Sequence, residues 1–193
     1  MIIRPTTRII IQSSILELLK TTSQDKLTVK QIAENCGISI RTFYNNFTDK
    51  NEAVNSIWHD TMEPLIEVPL DQWYTYQIQY FITNATVFQN ILHYTGQNNF
   101  SEAYYSVERK KLMLHMKPEL RDCAEEYEQF MIGVEYMIRG NLAIVNAWIN
   151  NPNLAEDIQK KNDIFGGLWK RFERTWPSIV IDNLEMEVVH SEI

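Results

Sequence analysis

Chain breakers are scarce in this sequence: six glycines and six prolines are spread over 193 residues. A many-stranded sheet needs frequent turns, so the shortage favours long helices. Cysteine is scarcer still. Cys36 and Cys123 are the only two, too few for a disulfide framework and expected as free thiols in a reducing compartment. No run of about 18 apolar residues occurs, so no transmembrane span is expected. The opening "MIIRPTTRIIIQSS" is interrupted by Arg4, Pro5 and Arg8 and has no small-residue cleavage site, so it does not read as a signal peptide. These absences together point to a cytoplasmic protein that does not engage a membrane.

Catalytic and metal-binding patterns are missing as well. His59, His93, His115 and His190 are scattered, without the close His, Cys or Asp spacing that a metal ion requires. There is no G-x-S-x-G, no P-loop and no G-x-G-x-x-G. The acidic run "DCAEEYEQ", with Asp122, Glu125, Glu126 and Glu128, reads as a solvated helix face. Neither an enzyme nor a bound cofactor or metal is expected.

What is present is a composition of 45% hydrophobic and 22% charged residues, suited to a folded soluble unit rather than a disordered one. The net charge of −7 is unevenly placed. Residues 1–60 hold seven Lys and Arg against six Asp and Glu; residues 61–193 hold eleven against nineteen. The acidity therefore belongs to the second part, and the first is electrically free to approach a polyanion.

In that first part Ile11, Ile15, Leu18 and Leu19 follow helical spacing within residues 7–20. Thr28 and Gln31 have capping-box spacing at the start of a second helix, which should end at Gly37. Ser39 is placed to cap a third helix, 40–46. Thr48 and Asp49 open a fourth, with Glu52 repeating the capping-box interval, and it runs toward Pro64. Three short helices with a glycine turn between the second and third have the helix-turn-helix layout, whose second member enters the DNA major groove.

The stretch "ISIRTFYNNFTDKNEAV", residues 38–54, fits that role. Phe43 and Phe47, four apart, can pack inward on Ile32 and Ile15. Tyr44 falls with Arg41 and Asn45 on the other side. The hydroxyls of Ser39, Thr42 and Tyr44 suit phosphate oxygens, and the Arg41 fork suits a guanine edge. Lys50 would add a cation beside the N–H groups that open the fourth helix.

Residues 27–54, "LTVKQIAENCGISIRTFYNNFTDKNEAV", resemble without a gap the DNA-binding segment of the TetR family of transcriptional regulators. The matching features are Leu27-Thr28-Val29, Ile32-Ala33, the turn residue Gly37, Ser39, Thr42-Phe43-Tyr44, Phe47 and Lys50. "TRIIIQSSILELL", residues 7–19, resembles the family's first helix, with Ser13 and Ser14 where alanine is usual. The departures are mild: "KTTSQDK" lacks the usual glycine, and Cys36 stands for a common alanine. The wording "TFYNNFTDK" is similar to the subset that includes regulators of dihydroxyacetone kinase operons. The resemblance implies that Thr28, Ser39, Thr42, Tyr44 and Lys50 contact the backbone of a double-stranded DNA operator, while Ile40, Arg41 and Asn45 face its bases.

Beyond residue 60 the sequence reads as longer helices: an aromatic-rich one from Leu70 to about Ile91, one capped by Ser101 and running to about His115, one from Pro118 to Asn150, and one over 154–176. The fold class expected is all-α, with a helix-turn-helix domain over 1–55, a larger ligand-binding and dimerisation domain over 56–177, and a tail over 178–193 that is either frayed or an extended arm. Trp73, Tyr76, Tyr80, Tyr104 and Tyr105 supply apolar walls with hydroxyl handles, so they can line a pocket for a small-molecule effector or simply build a core. Trp148, Phe165, Trp169 and Phe172 are candidate anchors of a homodimer, and Gly133 and Gly140 would allow helices to approach closely. The function expected is a ligand-responsive repressor acting as a homodimer. The alternative is a co-regulator of the same fold that works through a protein partner.

Overall fold

A computed structural model describes residues 5–114, 124–151 and position 167. Every regular element among them is a helix, in agreement with the all-α expectation. The order is α1 (Thr7–Leu18), α2 (Val29–Cys36), α3 (Ile40–Tyr44), α4 (Lys50–Met62), a 3-10 turn (Glu63–Leu65), α5 (Leu70–Thr83), α6 (Ala85–Leu92), α7 (Phe100–Leu114) and α8 (Ala124–Ile149).

The head forms because its caps and its apolar spacing agree. Thr28 Oγ1 accepts from the Gln31 amide at 3.2 Å, and the Gln31 side chain accepts from the Thr28 amide at 2.9 Å, so both ends of the capping box close. Gly37 ends α2 at φ 67, a left-handed backbone that costs a residue with a Cβ about 1–2 kcal/mol. The next amide, Ile38, returns to the Ala33 carbonyl at 3.0 Å, and the chain re-enters α3 under a Ser39 cap. Ile11, Ile15, Leu19, Leu27, Ile32, Phe43 and Phe47 are all buried. Each contributes roughly 1.5–3 kcal/mol by leaving water.

At α4 Asp49 is the N-cap, as its spacing from Glu52 suggested, but the return bond of the capping box goes one residue further back. Asp49 does accept from the amides of Asn51 and Glu52 at 2.7 and 2.8 Å. The Glu52 carboxylate reaches past Asp49, however, to the amide and hydroxyl of Thr48, both at 2.6 Å. The far end of α4 runs into the 3-10 turn at Pro64.

Two further expectations change in the body. The single helix read over Leu70–Ile91 is two helices that meet at Asn84, where φ −113 and ψ 27 leave the helical region. The Asn84 amide group donates to the Tyr80 carbonyl at 3.0 Å, and this local bond competes with the helical ladder. Helix α7 begins at Phe100, one residue before the expected cap. Asn99 Oδ1, not Ser101, accepts the amide of Glu102 at 3.3 Å.

Helix α8 buries Phe130, Val134, Met137, Ile138, Val145 and Ile149, while Met131, Leu142, Ile144 and Trp148 are half-buried against the same core. Gly133 is buried. A Cβ at Gly140 would meet nothing within 4 Å, so no close helix contact within the described residues requires that glycine. The helix read over 154–176, with Phe165, Trp169 and Phe172, and the tail 178–193 lie outside the described residues.

Head and body are tied directly. The Gln24 amide donates to the Asn90 carbonyl at 3.0 Å, and Asn90 Nδ2 returns to the Leu19 carbonyl at 2.9 Å. From α4, Asn51 Nδ2 donates to the Tyr94 hydroxyl at 3.1 Å and Asn55 Nδ2 to the Asn98 carbonyl at 2.8 Å. The α6–α7 loop thereby lies along the helix that leaves the head.

Candidate functional site

Helix α3 has an inner and an outer side. Phe43 points into the core, while Ile40, Arg41, Tyr44 and Asn45 are exposed. Positions i, i+1, i+4 and i+5 share one helical face, so these four form a continuous outward surface. Ile40 keeps 47% and Tyr44 54% of its surface accessible. Arg41 makes no ion pair among the described residues, so its fork is available. The tyrosine ring stands edge-on to Phe43, centroids 5.5 Å apart, which fixes its base while its hydroxyl projects.

The hydroxyls expected at phosphates are already placed at helix starts. Ser39 Oγ accepts the Thr42 amide at 3.0 Å and lies 2.8 Å from Thr42 Oγ1. Thr28 is exposed at the start of α2. Hydroxyls at helix N-termini, beside amides with partial positive charge, are where phosphate oxygens are favoured.

Lys50 is placed differently from the expectation of a phosphate grip. Its Nζ donates to three backbone carbonyls, Gln24 at 2.8 Å, Asp25 at 3.0 Å and Leu27 at 2.8 Å. All three ammonium protons are therefore engaged within the chain. Burial lowers the Lys50 pKa, opposed by nearby Asp25. The lysine closes the turn between α1 and α2, whose carbonyls would otherwise lack partners.

The aromatic residues singled out for a pocket separate into groups. Trp73 and Tyr104 are fully buried, Tyr80 is half-buried against Trp58 with centroids 6.1 Å apart, and Tyr76 is exposed. Tyr105 is half-buried, with Arg139 over its ring at 5.9 Å. Only Trp73 and Tyr104 share a site. Trp73 Nε1 donates to both oxygens of Glu108 at 3.2 and 3.3 Å, Gln77 Nε2 donates to the same carboxylate, and the Tyr104 hydroxyl donates to Gln77 Oε1 at 3.4 Å. One turn further along α7, Lys111 donates to the carbonyls of Ile66, at 2.7 Å, and Val68, with its ammonium 5.3 Å from the Trp73 ring centre.

Sequence reasoning missed Glu108 and Lys111. Each is 1% exposed, although "SVERKK" ends in four charged residues in a row. The available signal was phase: both fall on the stripe of Phe100, Ala103, Tyr104, Val107 and Leu112 that α7 buries. Burial pushes the Glu108 carboxyl up to about 7, against the opposing pull of Trp73, Gln77 and Lys111. Burial likewise lowers the Lys111 pKa, against Glu67 and Glu108. Among the described residues no cluster of His, Cys, Asp and Glu can hold a metal ion, and no helix is long and apolar enough to cross a membrane.

An exposed second helix of a helix-turn-helix unit, carried by a larger helical body, defines a DNA-binding transcriptional regulator. The chain belongs to the TetR family. The family model described as "Bacterial regulatory proteins, tetR family" matches residues 11–57, and "Transcriptional regulator C-terminal region" matches residues 70–159. Members are DNA-binding regulators, not enzymes. Among solved structures the fold is similar to the dihydroxyacetone kinase operon activator DhaS, at TM-score 0.59 and 16% identity over 90% of this chain and 97% of that one. It is also similar to NalD, described as the secondary repressor of the MexAB-OprM multidrug efflux pump in Pseudomonas aeruginosa, at TM-score 0.55 and 15% identity over 86% of this chain and 95% of that one. No curated protein matches the sequence significantly.

Two predictions follow the placement of the charges. Lys50→Ala should lower thermal stability by about 1–3 kcal/mol, because three carbonyls lose their donor. The salt dependence of DNA binding should stay as in the wild type, since no phosphate contact is removed; a shallower slope would restore the phosphate role. The Glu108 carboxyl is raised above its unfolded value, so its contribution to stability is fully present below that value and is lost as pH rises through about 7. The groups that face it are Lys111 and Tyr104 on α7 and Tyr74 on α5. Glu108→Gln should therefore gain on the wild type between pH 5 and 8 by up to roughly 3 kcal/mol. Denaturant melts at several pH values measure the difference, and parallel stability curves would contradict it.

Proposed function

We propose that this regulator is a homodimeric, ligand-responsive repressor that sets α3 of each protomer into the major groove of its operator. The observation that carries this reading is the outward face of α3, where Arg41 makes no ion pair among the described residues and Ile40, Tyr44 and Asn45 stand clear of the core. Ile40, Arg41 and Asn45 meet base edges, and Thr28, Ser39, Thr42 and Tyr44 meet phosphates. Lys50 supports them by holding the α1–α2 turn. Residues 1–55 serve as the reading head, and 56–177 as the sensing and dimerising body, in the cytoplasm.

Two-fold pairing supplies two heads for half-sites about 34–36 Å apart. Helix α8 supports it by leaving Ile132 and Tyr136 exposed, Tyr136 at 72%, an apolar pair that water favours covering. NalD is named a repressor and DhaS an activator. Repression needs only that the α3 face occupy the operator, which supports it over activation. The co-regulator alternative would act on DNA only through a second protein.

Binding of the purified protein to duplexes tiled over its own upstream region separates the two readings. The repressor reading expects a salt-sensitive, sequence-specific complex without any partner. On the preferred duplex Arg41→Ala should cost about 1–3 kcal/mol, and much less on a scrambled one, because a guanidinium fork reads the two acceptors of guanine. Equal losses on both duplexes would mean that α3 holds DNA without reading it at that position. For the dimer, Ile132→Glu with Tyr136→Glu should yield monomers in sedimentation and abolish operator binding; an unchanged dimer mass would move the interface elsewhere.

A further inference from the structure

Two polar groups inside the body lack the partners their chemistry calls for, and both border Tyr104. The first is Trp58 Nε1, a fully buried donor with no acceptor among the described residues; the Trp58 ring lies 5.4 Å from that of Tyr104. The second is the Glu108 carboxylate. Its donors, Trp73 Nε1 and Gln77 Nε2, are neutral, and it makes no ion pair among the described residues. Lys111, the nearest cation, gives its ammonium to the carbonyls of Ile66 and Val68. A carboxylate taken out of water without a cation is unfavourable; protonation relieves it below about pH 7, and above that the charge stands without an opposite one beside it. The Trp73 and Tyr104 rings beside it have faces that attract cations, and Lys111 already lies over Trp73.

We propose that the Trp73–Gln77–Tyr104–Glu108 cluster is the effector site, and that it takes a small organic cation carrying an oxygen acceptor. The ligand ammonium replaces the Gln77 amide on the Glu108 carboxylate, the organic body lies against the Trp73 and Tyr104 rings, and the oxygen gives Trp58 Nε1 its acceptor. This rests on the reading of the body as a sensor and adds the ligand class and the route of its effect. Glu108 and Lys111 are three residues apart on α7, and Lys111 holds the connector between α4 and α5 through Ile66 and Val68. A cation arriving at Glu108 removes the negative charge that Lys111 faces, at the base of the helix that carries the reading head. Trp58 lies on that same helix, so both ends of the ligand act on α4.

The test uses the full chain at about pH 8 and a panel of primary and quaternary amino alcohols, each paired with a neutral polyol or ether of the same shape. Thermal shift and titration calorimetry read binding, and fluorescence anisotropy reads operator affinity. The cations are expected to bind about tenfold or more tightly than their neutral twins, with a matching change in operator affinity. Glu108→Gln should abolish that preference while keeping the helical circular dichroism of the wild type. Should that variant fail to fold, Gln77→Ala decides: methylammonium is expected to fill the space beside the carboxylate and raise its melting temperature, and methanol is not. Neutral twins binding as tightly as the cations, or a preference that survives Glu108→Gln, would overturn the cation site while leaving the body a sensor. If neither cations nor neutral molecules bind or alter operator affinity, the cation site and the sensor reading fall together.

Discussion

Helix α4 has to belong to two cores at once, and Trp58 is where that requirement is met. Its ring stacks on Phe81 with centroids 5.0 Å apart and stands edge-on to Phe88 and Phe100 at 6.3 and 5.4 Å. Those residues come from α5, α6 and α7, so one side chain gathers three body helices around a helix that begins in the head. Aromatic pairs of this kind add roughly 0.5–1.5 kcal/mol each beyond the area they bury. On its other side α4 is bound to α1. Arg8 Nε donates to Asp60 Oδ2 at 2.8 Å, Gln12 Nε2 donates to Ser56 Oγ at 2.9 Å and to Asp60 Oδ2 at 2.6 Å, and the Arg8 guanidinium lies 4.6 Å from the centre of the Phe47 ring. The head therefore cannot rotate on the body unless α4 moves through a packed aromatic core. The alternative is for the chain to give way after Met62, where the α-helix yields to a 3-10 turn and a connector held by Lys111. Packed cores switch between discrete arrangements more readily than they deform. A connector held by the Lys111 ammonium, the exposed Lys110–Glu63 pair and half-buried side chains is a better place for such a change than the ring cluster is.

The head was largely legible in the sequence because its determinants are local. Thr28 with Gln31, Gly37, and Ser39 act on neighbours within a few residues, so spacing alone conveys them. The outward set on α3 was legible for the same reason, since helical phase separates Phe43 from Arg41, Tyr44 and Asn45. The internal partners of Lys50 were not legible because they lie 23 to 26 residues away. A lysine beside a helix start looks like a phosphate contact until the turn it closes is seen. Asn84 was passed over because its neighbours are good helix residues, and the break shows only in the backbone angles. Of the pocket candidates, Trp73 and Tyr104 were placed inside, but composition could not show that Tyr76 faces out. Glu108 and Lys111 were invisible because charged residues are so rarely buried that the bland reading wins by default.

Two lysines illustrate how far local charge departs from its face value. Lys50 and Lys111 each turn an ammonium onto backbone carbonyls of a connecting segment, Lys50 between α1 and α2 and Lys111 between α4 and α5. Neither segment can satisfy those carbonyls in a helical ladder, and an ammonium offers three donors from one point. The two cations thus act as internal clamps at two of the connecting segments. The cost is that both are withdrawn from any external anion.

This withdrawal shapes how the protein can meet DNA. With Lys50 engaged and Lys30 facing Glu34 at 3.8 Å, the positive charge left on the reading face is chiefly that of Arg41. The rest of the grip falls to hydroxyls and helix-start amides, which are neutral and short in range. Residues 61–193 carry an excess of eight acidic groups, yet at physiological salt their repulsion fades over about 8 Å. The body therefore neither assists nor forbids contact, and the head decides it. A reading helix whose own cation is Arg41 gains little there from non-specific counterion release. Its hold on DNA must come from shape and from base edges, which is the condition under which a single guanidinium can govern specificity.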